Sequence, residues 1–124
     1  MITMKIYIAS HDKTEALKVA AELREHGHTI TSRWLKQEFN PTETYTEEDR
    51  RRIACQDVRD IHESQILILI SGKDKYSGGK FVEAGFALAD HLEVIVLGHR
   101  ENMMLWHPNI PAFDSISEII NYLR

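Results

Sequence analysis

Short apolar runs recur along the chain and are separated by polar or amphipathic stretches. A continuous apolar run of roughly four to eight residues is typical of a strand that is covered on both faces. Between His28 and Leu35, Ile30, Ser32 and Trp34 alternate with more polar neighbours, which favours another strand. The predicted strands are Lys5–Ala9, His28–Leu35, Ile66–Ile70 and Val94–Leu97, with a short fifth strand near Ala112–Phe113.

Helices are predicted between these strands. Ala16, Leu17, Ala20 and Leu23 recur at helical spacing, and Gly27 is expected to stop that helix. Thr46 is followed by three acidic residues and resembles a capping box. The other predicted helices are Thr46–Glu63, Gly79–His91 and Ser115–Leu123. Two segments are expected to be loops: Lys36–Tyr45, which contains Asn40-Pro41, and the stretch that runs from the end of the strand Val94–Leu97 to Pro111.

The alternation of strands and helices predicts an α/β fold. Strands that are buried on both faces imply a mostly parallel sheet with helices on each side. We expect a flavodoxin-like, Rossmann-like strand order 2-1-3-4, with the short fifth strand at the edge. No internal repeat, low-complexity tract or linker divides the sequence, so residues 1–124 are expected to form one domain.

Composition narrows the possible partners and the compartment. The chain has 124 residues, of which 43% are hydrophobic, enough for a core of its own. A net charge of −4 argues against nucleic acid or an anionic membrane as the main partner. No apolar run approaches the roughly 20 residues of a membrane span. The single cysteine, Cys55, and the absence of a signal-peptide pattern at Met1–Lys5 favour the cytoplasm.

The segment Gly79–Ala89 holds the most informative candidate residue, Glu83. It follows the predicted strand Ile66–Ile70 and a glycine-rich turn. Ligands of open α/β sheets bind at the carboxyl ends of the strands, where each strand leads into the following helix. We expect Glu83 in the opening turn of its helix, where the positive helix end keeps a carboxylate ionised. An ionised carboxylate among apolar residues is a candidate nucleophile. The alternative is a surface glutamate that is favoured only by the helix dipole.

Other polar residues are placed to meet Glu83. Tyr7 lies in the first strand and Ser10 at its carboxyl end, Asp57 lies in the second helix, and Ser77–Gly79 precede Glu83. Each also has a purely structural interpretation. Tyr7 is equally compatible with a core aromatic residue, Ser10 with a helix cap, and Asp57 with a surface acid, while Ser77–Gly79 are compatible with a turn.

Several other kinds of site are not predicted. The chain has no phosphate-binding P-loop and no dinucleotide-binding glycine fingerprint. His26-x-His28 and His62-Glu63 lack the further ligands of a metal site, so no metal is expected. The run Arg50–Arg52 is most simply a solvated helix face. Cys55 is expected in the core rather than as a nucleophile.

Two segments identify a family resemblance. Lys5–Ser10 is similar to an opening strand with an active-site tyrosine, here Tyr7. Gly79-x-x-x-Glu83-x-Gly85-x-Ala87 is similar to a signature that contains a nucleophilic glutamate. Together they resemble the nucleoside 2-deoxyribosyltransferase family, including its relatives that hydrolyse nucleoside 5′-monophosphates.

The resemblance extends over nearly the whole chain. Asp57 resembles the catalytic-site aspartate of the family, and Asn102-x-Met104-x-Trp106 is similar to the segment whose asparagine completes the site of a neighbouring subunit in the transferases. The chain departs from the family at Ser64-Gln65, where members often have Ala-Asp. It is also shorter than the transferases that exchange free bases.

The resemblance implies an enzyme that breaks the N-glycosidic bond of a (deoxy)nucleoside or its 5′-monophosphate. Glu83 is the implied nucleophile, Asp57 the acid or base-orienting group, and Tyr7 the partner of Glu83. The resemblance implies no cofactor. It implies assembly as a homodimer or homotetramer. The implied substrate-binding residues are Ser10, Ser77, Gly78, Gly79, Asn102 and Met104. The alternatives are a TIR-like NAD glycohydrolase and a non-catalytic, flavodoxin-like nucleotide-binding domain.

Overall fold

A five-stranded parallel sheet forms the centre of the molecule in the computed structural model, which describes residues 2–37, 45–72 and 78–124. The strand order is β2-β1-β3-β4-β5, and every pair of neighbours is parallel. The predicted fold class and strand order are confirmed. The strands are β1 (Lys5–Ala9), β2 (Thr29–Ile30), β3 (Ile66–Ile70), β4 (Glu93–Leu97) and β5 (Ala112–Phe113).

Side chains that cap the helix starts account for several of the helix boundaries. Asp12 accepts a hydrogen bond from the Glu15 amide, and Thr46 forms the predicted capping box with Asp49. The described helices are α1 (Lys13–Glu25), α2 (Glu47–His62), α3 (Gly79–Ala89) and α4 (Ile116–Tyr122), with 3₁₀ turns at Arg33–Lys36 and Met103–Trp106. None of these helices combines the length and apolarity needed to cross a membrane.

The sheet separates two apolar layers, because successive side chains of a strand point to opposite faces. In β1, Ile6 and Ile8 pack in the layer that contains residues of α1 and α4. Tyr7 and Ala9 pack in the other layer, with residues of α2 and α3. All five residues of β3 are buried, as expected for a central strand with both faces covered. The side chain of Tyr7 is therefore directed towards the helix that contains Glu83.

The predicted second strand, His28–Leu35, is wrong over most of its length. Regular pairing with β1 ends at Ile30, and the chain then turns into a 3₁₀ helix. Two side chains replace the strand–strand bonds that a longer β2 would make. The Ile8 amide donates to Ser32 Oγ at 3.2 Å, and Trp34 Nε1 donates to the Ile8 carbonyl at 2.8 Å. The 3₁₀ turn is thereby fixed at the carboxyl end of β1.

Close contact between Gly98 and Ser71 joins the carboxyl ends of β3 and β4. Gly98 has φ +113°, and a Cβ atom at this position would lie 2.7 Å from the Ser71 Cβ. The Ser71 amide also donates to the Leu97 carbonyl at 2.9 Å. A glycine is required here both by its backbone angle and by the lack of space.

The predicted loop Lys36–Tyr45 lies largely outside the described residues.

Candidate active site

A hydrogen bond between β1 and α3 forms the centre of the candidate site. The phenol of Tyr7 donates to the Oε2 atom of Glu83, 76 residues further along the chain. Tyr7 has no exposed surface, and Glu83 is only partly exposed. Burial of the phenol and the negative charge of Glu83 both raise the pKa of Tyr7. The phenol therefore remains protonated and acts as a hydrogen-bond donor.

The expected position and charge of Glu83 need correction. Because α3 begins at Gly79, Glu83 is in its second turn, and the first turn contains no acidic residue. Burial raises the pKa of Glu83 to about 7, and the negative charge of Asp57 adds to this effect, whereas the Tyr7 hydrogen bond opposes it. Loss of solvent thus outweighs the helix dipole, whose effect is confined to the first turn. Near neutral pH the carboxyl group is divided between its two protonation states.

Asp57 belongs to the same electrostatic cluster. It lies on α2 and is partly buried, and its Oδ1 atom has no hydrogen-bond partner among the described residues. Burial raises the pKa of Asp57 to about 6, and the charge of Asp60 adds to this effect, whereas Arg33 opposes it. The charge of Asp57 in turn raises the pKa values of Tyr7 and Glu83. A buried polar atom without a partner is unusual and is compatible with a group that meets a ligand.

An ion pair between the half-exposed Arg33 and the buried Asp60 adjoins this cluster. Asp60 is 2% exposed and lies one helical turn beyond Asp57. It accepts the Arg33 amide at 3.1 Å and the guanidinium at 2.7 and 2.8 Å. Neither residue is among the site residues that the sequence predicts. The spacing of two aspartates on one helix face was the available signal for Asp60, whereas Arg33 was placed on a strand that does not extend to it.

Ser10 lies beside a separate cleft of about 520 Å³ at the carboxyl edge of the sheet. Its hydroxyl accepts from the Asp12 amide at 3.0 Å and donates to the Asp12 carbonyl at 3.1 Å. Ser71 and Gly72 line the same cleft. Lys80, which the sequence-based reasoning overlooked, also lines it and is buried in an ion pair with Glu101 at 2.6 Å. A lysine at the second position of an otherwise apolar helix start was the only sequence signal for it.

The glycines before Glu83 form the start of α3. Gly78 is the N-cap residue and Gly79 the first helical residue. Among the described residues, a Cβ atom at Gly78 would have no neighbour within 4 Å. Ser77 lies outside the described residues.

Asn102 and Met104 belong to the 3₁₀ turn Met103–Trp106, Asn102 as its N-cap residue. Asn102 Oδ1 accepts the Leu105 amide at 3.3 Å and thereby caps the 3₁₀ turn. Met104 is 72% exposed, whereas Leu105 is buried against the core. In the part of the chain that the structure describes, no hydrogen bond connects Asn102 to Tyr7, Asp57 or Glu83. Over the same residues, no three His, Cys, Asp or Glu side chains are grouped as a metal site.

Known structures share this architecture. No family model matches the chain, and no curated protein matches its sequence. A 2-deoxyribosyltransferase from the psychrotolerant bacterium Bacillus psychrosaccharolyticus is 25% identical, with a TM-score of 0.76 over 95% of this chain and 91% of that protein. The CMP N-glycosidase BcmB of Clostridium botulinum is 18% identical, with a TM-score of 0.61 over 96% of this chain and 97% of that protein.

A third similar structure is described only as a conserved protein from Enterococcus faecalis. It is 14% identical, with a TM-score of 0.70 over 97% of this chain and 96% of that protein. Two of these three proteins are therefore a 2-deoxyribosyltransferase and an N-glycosidase, and each is matched over nearly its full length. In fold and over almost all of its length, the chain resembles the nucleoside 2-deoxyribosyltransferase family, as its sequence predicts.

Proposed function

We propose that residues 1–124 form an enzyme domain that breaks the N-glycosidic bond of a (deoxy)nucleoside or its 5′-monophosphate. The (deoxy)ribosyl group passes to Glu83 and then to another base or to water. The observation that carries the proposal is the partly buried carboxyl group of Glu83, which the Tyr7 phenol orients and whose pKa the charge of Asp57 helps to raise. The similarity in fold to a deoxyribosyltransferase and an N-glycosidase supports the same reaction class.

Glu83 is suited to the first step. Cleavage of an N-glycosidic bond builds positive charge at C1′, as in glycoside hydrolysis. A carboxylate below C1′ stabilises that charge and forms an ester with the sugar while the bond to the base breaks. The hydrogen bond from Tyr7 fixes one carboxylate oxygen and leaves the other free to attack. Because the pKa of Glu83 is about 7, the ionised form is available at neutral pH.

Asp57 is suited to serve the departing base. Its pKa of about 6 leaves a protonated fraction near neutrality, and its Oδ1 atom has no protein partner among the described residues. A carboxyl group in this condition can give a proton to the leaving base or hold its edge. In the second step it accepts the proton of the incoming base or water. The identity of that acceptor distinguishes a transferase from a hydrolase.

The sugar and its 5′ end are assigned to the helix starts. Ser10 lies near the start of α1, and Gly78 and Gly79 form the start of α3, where backbone N–H groups favour an anion. We include Ser77 in this group because it directly precedes Gly78. A 5′-monophosphate is therefore expected to bind at least as well as the unphosphorylated nucleoside.

A second subunit is assigned to complete the site. Met103, Met104 and Trp106 are 85%, 72% and 67% exposed, and a cluster of exposed apolar residues in one short segment favours an interface. We propose that Asn102 and Met104 reach the site of the neighbouring protomer in a homodimer or homotetramer. Closed two-fold pairing is the commonest way to cover such a surface.

Release of free base is the decisive measurement. The protein is incubated with 2′-deoxynucleosides, their 5′-monophosphates and NAD, with and without a second free base, and products are separated by chromatography. Release from a deoxynucleoside or its monophosphate supports the proposal, and a new nucleoside in the presence of the second base identifies a transferase. Cleavage of NAD alone identifies the TIR-like alternative. No release from any substrate would favour a binding domain without catalysis.

A further inference from the structure

The guanidinium of Arg33 binds Asp60, which lies one helical turn from Asp57 on α2. Its Nε and Nη2 atoms bind Asp60 Oδ1 at 2.8 and 2.7 Å, and its amide binds Oδ2 at 3.1 Å. Asp60 is three residues after Asp57 on α2, so the two side chains are neighbours on one face of that helix. The Arg33 side chain is nevertheless 50% exposed. Its Nη1 group has no protein partner within the described residues.

The position of this guanidinium is fixed from several sides. Trp34, the next residue, donates from Nε1 to the Ile8 carbonyl at 2.8 Å, which fastens the 3₁₀ turn to β1. On the other side, Ser64 Oγ donates to the Asp60 carbonyl at 2.6 Å and contacts Thr31 Oγ1 at 2.6 Å. An anchored arginine with unused donors loses little side-chain entropy when it binds an acceptor. Arg33 therefore has the features of a preorganised binding group.

We propose that Arg33 selects nucleobases in which an exocyclic oxygen adjoins a ring N–H: its free guanidinium edge donates to that oxygen, while the ionised Asp57 carboxylate accepts from the ring N–H. This inference rests on the proposed function and names the substrate class of the same site. Hypoxanthine, guanine, uracil and thymine have such an edge, in which a carbonyl oxygen adjoins a ring N–H. Adenine has an amino group in place of the oxygen, and this donor would oppose the donors of Arg33.

The selection also has a chemical reason. As the N-glycosidic bond breaks, its electron pair moves into the base, and an exocyclic oxygen takes part of that negative charge. A fixed guanidinium stabilises charge at the atom where it develops. An amino group does not accept the charge in the same way, so adenine depends on protonation instead. Arg33 thus contributes more to the cleavage of oxo-bases than to that of adenine.

The matched substrates are 2′-deoxyinosine and 2′-deoxyadenosine, each with and without a 5′-phosphate, because the bases are alike in size and differ chiefly at C6. We expect Arg33→Met to lower kcat/KM for the inosine substrate by roughly ten- to a hundredfold, the scale of a lost charge-assisted hydrogen bond. The value for the adenosine substrate should change by less than about threefold. An equal loss for both substrates, or no loss for either, would overturn the proposal.

Two further variants separate selection from folding. Arg33→Met leaves the buried Asp60 without its partner, so the double variant Arg33→Met, Asp60→Asn removes that charge as well. The double variant should regain thermal stability but not the preference for the inosine substrate. Arg24→Met, which removes a guanidinium from the last turn of α1, is the matched control and should leave the preference unchanged.

Calorimetry with the free bases makes the result independent of turnover. Hypoxanthine should bind the wild-type protein more tightly than adenine does, and Arg33→Met should abolish that difference. If the wild-type protein cleaves no nucleoside, the proposed function fails, but selective binding of hypoxanthine through Arg33 would still support this inference. Absent or equal binding of the two bases by the wild-type protein would overturn it.

Discussion

Tyr7 and Glu83 form a partly buried hydrogen bond that connects the core layer between the sheet and α2 and α3 to the candidate active site. Tyr7 is fully buried in β1, and its phenol is the group that orients the Glu83 carboxyl group on α3. The bond also moderates the effect of burial on Glu83, since it lowers a pKa that loss of solvent raises. Orientation and ionisation of the carboxyl group therefore depend on the same contact.

Glu83→Gln is expected to lower base release by about 10³-fold or more, because an amide cannot form the ester with C1′. The amide oxygen still accepts the Tyr7 phenol, so the fold should be retained. Glu83→Ala is the less suitable variant, since a buried phenol without a partner costs about 1–3 kcal/mol. Chromatography of the released base, with circular dichroism as the folding check, measures the effect. Turnover at the wild-type rate would exclude Glu83 as the nucleophile.

Asp57→Asn is expected to slow the release of natural bases by about 10²–10⁴-fold, the range of general acid–base catalysis. Nitrophenyl deoxyribosides have good leaving groups, so their cleavage should be affected much less. The ratio of the two rates, measured for wild type and variant, isolates the role of Asp57 in the departure of the base. A uniform loss across both kinds of substrate would instead indicate a binding or structural role.

Tyr7→Phe is expected to shift the acidic limb of the pH–rate profile to higher pH. The nucleophile must be ionised, so kcat/KM rises with pH through the pKa of Glu83, which is about 7 in the wild type. The hydrogen bond from Tyr7 lowers that pKa, and its removal should raise the limb by roughly one unit. Profiles of kcat/KM for both proteins between pH 5 and pH 9, on the order of ten points each, measure the shift. An unchanged limb would mean that Glu83 does not determine it.

The free energy of unfolding should also depend on the ionisation of Glu83. Its pKa is raised from 4.5 to about 7 in the folded protein, so the folded state binds the proton more tightly than the unfolded state does. Its contribution to stability is therefore complete below about pH 4.5 and is lost as the pH rises through 7. Relative to wild type, Glu83→Gln should gain stability between these limits, as measured by urea unfolding at several pH values. A constant difference across that range would contradict the raised pKa.

Met103→Glu is expected to yield monomers with little activity. Met103 is 85% exposed in the proposed interface, and a buried carboxylate there would oppose assembly. Leu17→Glu is the matched control, because Leu17 is also an exposed apolar residue, at 44%, but lies on α1. Light scattering at micromolar concentration and base release are measured on the same samples. A fully active wild-type monomer would remove Asn102 and Met104 from the site.

The sequence determines the central sheet more clearly than it determines the edge. Continuous apolar runs such as Ile66–Ile70 predict β3 and its neighbours correctly, because a strand covered on both faces has no other suitable environment. The second strand was overpredicted, since the Ser32 and Trp34 side chains take the backbone groups of Ile8 that a longer strand would have paired. Alternation of residue types does not reveal such long-range hydrogen bonds.

The candidate site was predictable where a motif marks it and not where tertiary contacts create it. The pairing of Tyr7 with Glu83 was expected and is present as a hydrogen bond. The ionisation of Glu83 was not predicted correctly, because burial by distant segments sets its pKa. Arg33 and Asp60 are not among the predicted site residues for the same reason, since their contact depends on the turn after β2.

Gly98 has a consequence for how this protein tolerates substitution. It contributes no functional group, yet its backbone angle and its contact with Ser71 set the direction in which the chain leaves β4 towards Asn102. Shortening Ser71 to glycine would clear the space beside Gly98 but would not relieve a side chain at φ +113°. The constraint between the two positions is therefore one-sided. Residue 71 can vary within the space that Gly98 leaves, whereas no substitution at residue 71 allows a residue other than glycine at position 98.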